Sequence, residues 1–305
     1  MAVLDSSKLL EIFVSSDDFC KKFQETPLPS AANKTKIIDF PNALSTSEMM
    51  AIVIFYHHSG VRCFSWYYQY VIQRYFAEDF PDLCSYNRFV QKMPRLAFIL
   101  YAFLMMCRLA FPTDGNYVDA TKLVVCHHKR LFSHKVFEGY ASRGKSSTGW
   151  FFGFKLHTIV NSEGQLVHFE FTNGKVADNN QDLLQQMADK FQGQLYGDKG
   201  YLTAIQKELE EKGMHLICKE RKNMKKRLLS PEQKYYLKHR GLIESCFDLM
   251  KNFCEIEHSR HRSPKNFWVN LIAGLIAYTF LDKTPSIPIY QTKMEKEEVL
   301  KIELI

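Results

Sequence analysis

No apolar run in this 305-residue chain reaches the roughly 18–20 residues that a bilayer-spanning helix needs. The two longest, 96–107 and 267–281, are shorter, and Asn270 interrupts the second, so both are predicted to be buried helices of a soluble protein. No CxxC pair joins any of the eight scattered cysteines (Cys20, Cys63, Cys84, Cys107, Cys126, Cys218, Cys246, Cys254). That argues against a disulfide framework and predicts free thiols in a reducing cytosol. Residues 1–16 lack a basic stretch leading into a clean apolar core and contain Asp5 and Glu11, so no secretory signal is expected. There is no internal repeat or low-complexity tract beyond a short mixed-charge run at 293–301. What is present is an ordinary globular composition, 46% hydrophobic, 24% charged and 14% aromatic, at a length that suggests two compact units.

Forty Lys and Arg oppose 33 Asp and Glu, a net charge of +7 with a pI near 8.8. Residues 1–115 are close to neutral, so essentially all of the excess falls on the remainder. A positive surface confined to one half calls for an anionic partner, and nucleic acid is the commonest kind.

The first third reads as helical. Ser45 and Glu48 have capping-box spacing ahead of the apolar segment 49–56; a second helix is expected over 61–76, and a third from Ser85 with Pro94 as its break. From Tyr117 the pattern changes to three strand candidates at 117–125, 150–160 and 166–171. A helix at 179–191, a strand at 194–196, a helix at 202–212, a strand at 215–218 and a long helix over 231–253 follow, which is an α/β order.

Three carboxylates stand at informative places in that order: Asp119 inside the first strand, Asp198 just past the fourth and Glu244 in the long helix. An acid within an apolar strand is costly to bury alone and calls for a cation, a metal or hydrogen bonds. The segments YVDAT (117–121), YGDKGY (196–201) and RGLIE with a following Lys (Arg240, Glu244, Lys251) resemble the three acidic motifs of bacterial insertion-sequence DDE transposases. GKSSTGWFFGFKLH (144–157) and IEHSRHRS (256–263) are similar to segments of one family of small insertion elements, and the likeness runs from about 44 to 287.

The resemblance implies an α/β, ribonuclease-H-like catalytic domain at 113–290, an all-α N-terminal domain at 1–112 and a charged tail at 291–305. It also implies a metal-dependent enzyme that cleaves double-stranded DNA at transposon ends and joins the 3′-hydroxyl to target DNA in the bacterial cytosol, on the nucleoid. Asp119, Asp198 and Glu244 would hold Mg²⁺, with Mn²⁺ able to substitute, and a homodimer or larger assembly would pair two ends. The chemistry is coherent: in-line attack on a phosphodiester needs an activated oxygen and a stabilised leaving oxygen, and hard cations held by carboxylates supply both. The alternatives are a ribonuclease-H-like nuclease without strand transfer and an inactive DNA-binding derivative. A haloacid-dehalogenase-type phosphatase is disfavoured, because Thr121 stands where its DxD pattern needs a second acid.

On one unbroken helix, Arg240, Glu244 and Lys251 would share nearly one face, with the cations available to DNA phosphates and Asp248 as a reserve ligand. The family's Tyr three residues before the Arg is replaced by Leu237, with Tyr236 beside it. Basic clusters flank the acids: Arg143, Lys145 and Lys155 among those before the second, Arg221 and Lys225 among those before the third, and a weaker patch holding His261 and Arg262. Cys126, His127, His128 and His134 lack the spacing of a zinc site. His157 shares a strand face with Lys155, open to DNA or satisfied within the sheet. In the N-terminal domain, Ser85, Asn87, Arg88 and Arg95 open a third helix, as in a helix-turn-helix reader, while Trp66, Tyr67, Tyr68 and Tyr70 are expected in the core.

Overall fold

The computed structural model describes residues 5–25, 43–146, 149–219, 228–257 and 261–291. The chain divides into two compact units that interleave along the sequence: 1–109 with 123–153 and 248–282, and 110–122 with 154–247 and 283–305.

The first unit is mostly helical. Helix Ser6–Glu25, which the sequence pattern did not flag, buries Leu9, Ile12, Phe19 and Phe23 at helical spacing and packs against helix Thr46–Tyr56. The expected capping box is formed: Glu48 N–H donates to Ser45 Oγ at 3.1 Å, and Ser45 N–H donates to Glu48 Oε2 at 2.6 Å. The helix expected over 61–76 covers Phe64–Tyr75, with a π-helical stretch at Tyr67–Ile72. Tyr67 and Tyr68 are core residues as expected, but Trp66 and Tyr70 are exposed and stack on each other at 5.3 Å, because the helix turns that edge outward.

Pro94 sits in a 3₁₀ turn, Met93–Arg95, between helices Tyr86–Lys92 and Leu96–Phe103. Together Tyr86–Arg108 makes the one described helix long and apolar enough, by length and composition, to cross a membrane. Arg108 at its end is bonded within the unit, Nε to Thr279 Oγ1 at 3.0 Å and a terminal nitrogen to the Thr279 carbonyl at 2.7 Å. Thr279 closes helix Pro264–Thr279, which is buried from Val269 to Tyr278 except at Asn270 and packs against Leu96–Phe103 and Thr46–Tyr56. Gly274 permits that packing, since a Cβ there would lie 2.6 Å from Ile256 Cγ2.

The sheet has six strands: β1 (Asn116–Cys126), β2 (Ser142–Ser146), β3 (Gly149–Val160), β4 (Leu166–Asn173), β5 (Gly193–Gly197) and β6 (Met214–Cys218). Their order is β2-β3-β1-β5-β6, with β4 also paired to β3. β1, β5 and β6 run parallel, with Tyr117 beside Tyr196 and Tyr196 beside Ile217, whereas β2, β3 and β4 are antiparallel. β2 was not anticipated; its Arg143 and Lys145 read as a basic loop, but they alternate with buried Gly144 along a strand. A cluster including Val118, Ile159, Leu184, Met187, Leu195 and Leu209 fills the second unit's core beneath helices Gln181–Ala188 and Gln206–Glu211. This mixed α/β sheet with flanking helices is a ribonuclease-H-like arrangement, as expected.

The single long helix expected over 231–253 is corrected. Helix Pro231–Lys238, capped by Ser230 and Gln233, ends where both the backbone N–H and the ring Nδ1 of His239 reach carbonyls of the preceding turn. Gly241 then separates it from helix Leu242–Asp248, and a π-helical turn follows at Leu249–Phe253. Arg240 lies in the joint, so Arg240, Glu244 and Lys251 do not share one regular helix face.

Candidate active site

Asp119 lies in β1, next to buried Val118, and Asp198 immediately follows β5, the parallel neighbour of β1. Strand pairing therefore sets Asp119, inside β1, level with the C-terminal end of β5, where Asp198 follows and where α/β sheets gather ligands. Asp119 Oδ1 accepts the Ala120 N–H at 2.7 Å. Burial pushes the Asp119 carboxyl up to about 6, helped by the charges of Asp198 and Asp178 and opposed by that hydrogen bond and by Arg240. Asp198 caps the 3₁₀ turn Lys199–Tyr201, its Oδ1 accepting from Gly200 N–H.

Asp178 is an acid that sequence reasoning missed. A Cβ on Gly200 would lie 2.7 Å from Asp198 Oδ1 and 3.9 Å from Asp178 Oδ2, so both carboxylates face that α-carbon. Lys155 Nζ holds Asp178 Oδ1 at 2.8 Å, with only 12% of the lysine side chain exposed. Lys155 is thus committed to an acid instead of standing open to DNA. The available signal was positional: Asp178 sits in the polar turn between β4 and the next helix. Tyr201 is buried, its hydroxyl has no hydrogen-bond partner among the described residues, and burial followed by the charges of Asp119, Asp178 and Asp198 pushes its ionisation far upward. His157 is fully buried, with Nε2 3.0 Å from Thr172 Oγ1, which makes it a sheet residue.

Glu244 stands in the first turn of helix Leu242–Asp248 with 64% of its side chain exposed, 3.6 Å from Arg240. Lys251 is paired with Glu257 at 2.9 Å, and Asp248 accepts from Asn252 Nδ2 at 2.5 Å. Arg88 is exposed, as are Arg143 and Lys145, whereas Arg221 and Lys225 lie outside the described residues. His127, just past β1, caps a 3₁₀ turn at His128–Ser133.

Among the described residues no three His, Cys, Asp or Glu side chains stand close enough to share one ion. The donor set around Asp119 and Asp198 nevertheless fits a hard divalent cation. It is all carboxylate oxygen, and its mutual repulsion is incompletely offset by Arg240 and Lys155. Glu244 is turned to Arg240.

A ribonuclease-H-like mixed sheet, with acids on β1 and after the neighbouring β5, is the class of fold that this chain adopts. Within that class the chain belongs to the transposase DDE domain family, whose model matches residues 110–264. No curated protein and no solved structure matches it.

Proposed function

We propose that this transposase cleaves DNA at transposon ends and transfers the freed 3′-hydroxyl to target DNA, with Asp119, Asp198 and Glu244 as its catalytic acids. The observation that carries the reading is the buried Asp119 carboxylate, left with insufficient positive charge beside Asp198 on the neighbouring parallel strand. Mg²⁺, or Mn²⁺ in its place, would be held by Asp119 and Asp198 with Glu244, neutralising phosphate charge and activating the attacking oxygen. Asp119 is fixed by the Ala120 N–H and Asp198 by the Gly200 N–H, so both present carboxylate oxygens in set directions. Arg240, close enough to reach Glu244 and to be felt by Asp119, positions a phosphate at the same place.

Residues 113–290 carry the chemistry on this reading, and the helices of 1–112 recognise the element ends, with exposed Arg88 as a contact. Lys145, Arg221 and Lys225 add phosphate contacts, whereas Lys155 and Lys251 act through Asp178 and Glu257. The reaction takes place on the nucleoid in the cytosol, and two subunits or more bring two ends together. Asp119→Ala, Asp198→Ala and Glu244→Ala should each abolish Mg²⁺-dependent cleavage of an end-bearing duplex while retaining DNA binding. Substantial cleavage by all three overturns the assignment. Precut ends supplied with a target plasmid separate transposition from simple nuclease action, which yields no joined product.

A further inference from the structure

The hairpin formed by β2 and the start of β3 presents an outward face that the acid site does not use. Lys145 pairs directly with Trp150 across the strands, and Arg143 lies two residues along on the same side. The Arg143 guanidinium sits 4.3 Å from the Trp150 ring centre, and Lys145 Nζ sits 5.8 Å from it. Trp150 is 54% exposed, although its neighbour Phe151, pointing the other way, is buried. Among the described residues neither cation has an acidic partner.

Surface lysines and arginines need only phosphates, and a closed duplex offers no ring face to an indole. An exposed indole beside two cations that lack acidic partners matches a ligand that carries phosphates and also an unstacked base. We propose that the Arg143–Lys145–Trp150 face binds single-stranded DNA by stacking an unpaired base on Trp150 while the two cations hold the adjoining phosphates. The proposal rests on the reading of the chain as a DNA-acting protein and names the strand state that this face takes.

The test uses the full chain with EDTA present, so that binding is read without cleavage. Fluorescence anisotropy compares a blunt duplex with the same duplex carrying a short single-stranded overhang. The wild type should prefer the overhang. Trp150→Ala should lower that preference about tenfold, the scale of one stacked base, and leave blunt-duplex affinity and the thermal midpoint unchanged. Trp150→Phe should keep most of the preference, and Arg143→Gln with Lys145→Gln should weaken overhang binding and flatten its salt dependence. Equal affinity of the wild type for both probes overturns the proposal, as does a Trp150→Ala loss shared equally by both or a Trp150→Phe variant as impaired as the alanine. If the wild type binds neither probe, the DNA-acting reading itself fails. That outcome is distinct from equal binding, which removes only the stacking role.

Discussion

Two strand carboxylates in the same unit meet opposite fates. Glu170 on β4 lies 3.0 Å from His168 Nε2 and 3.1 Å from Lys190 Nζ; burial works against its charge, but these partners outweigh it and hold the carboxyl below its usual range. Asp119 on β1 has one backbone N–H, two acids nearby and a single arginine at longer range, and its carboxyl rises to about 6. The fold completes the ion pairing of one acid and leaves the other short of positive charge. On the proposed reading, that shortfall at Asp119 is what a bound cation would make good.

Substitution should break the comparison cleanly. Asp119→Ala is expected to reduce end cleavage about thousandfold or more, with a thermal midpoint that holds or rises because an undercompensated buried charge is gone. Glu170→Ala should do the reverse, costing about 1–3 kcal/mol in denaturant unfolding through its stranded partners, with cleavage per folded molecule unchanged.

Acid titration sharpens the contrast in the helical unit. Burial lowers His58 to about 4 from its ordinary 6.5 while its Nε2 stands 2.9 Å from the Ala277 carbonyl. The unfolded chain takes up that proton first, so stability should decline as pH falls from about 6.5 toward 4, and His58→Gln should flatten the decline. Glu170, also held below its usual range, contributes stability that is present above its unfolded value and is lost only at still lower pH. The smallest expected effect is on stability at Glu244: its exposed pair with Arg240 contributes no more than about 0.5 kcal/mol. Glu244→Gln should therefore leave the thermal midpoint in place while cleavage is lost.

Much of this was legible in the sequence. Apolar and β-branched runs, alternation in one of them and flanking turn residues located the five expected strands, and Ser45 with Glu48 announced a cap that forms through contacts three residues apart. The order of three strands and then alternating helix and strand led to the sheet that sets Asp119 beside Asp198. What escaped depends on partners distant in the chain or on local competition. Asp178 is held by Lys155, 23 residues before it, and meets Asp198 beside Gly200, a later turn of the chain. The helix break at Arg240 arises because His239 and Gly241 oppose an otherwise helical pattern, a balance that periodicity does not weigh. Trp66 and Trp150 look like core residues by type, and only the facing of their elements puts them in water.

The interleaving of the two units also bears on the order in which the protein can be made. Helices Thr46–Tyr56 and Leu96–Phe103 emerge early from the ribosome, but the helix that covers them, Pro264–Thr279, is translated some 160 residues after the second. Until then the apolar surface of these helices that Pro264–Thr279 covers, Tyr101 against Trp268 included, lacks its permanent partner and depends on chaperones or transient collapse. The amount of active protein is then set by how reliably synthesis runs to Thr279, and chains that stop short should aggregate instead of leaving a usable fragment.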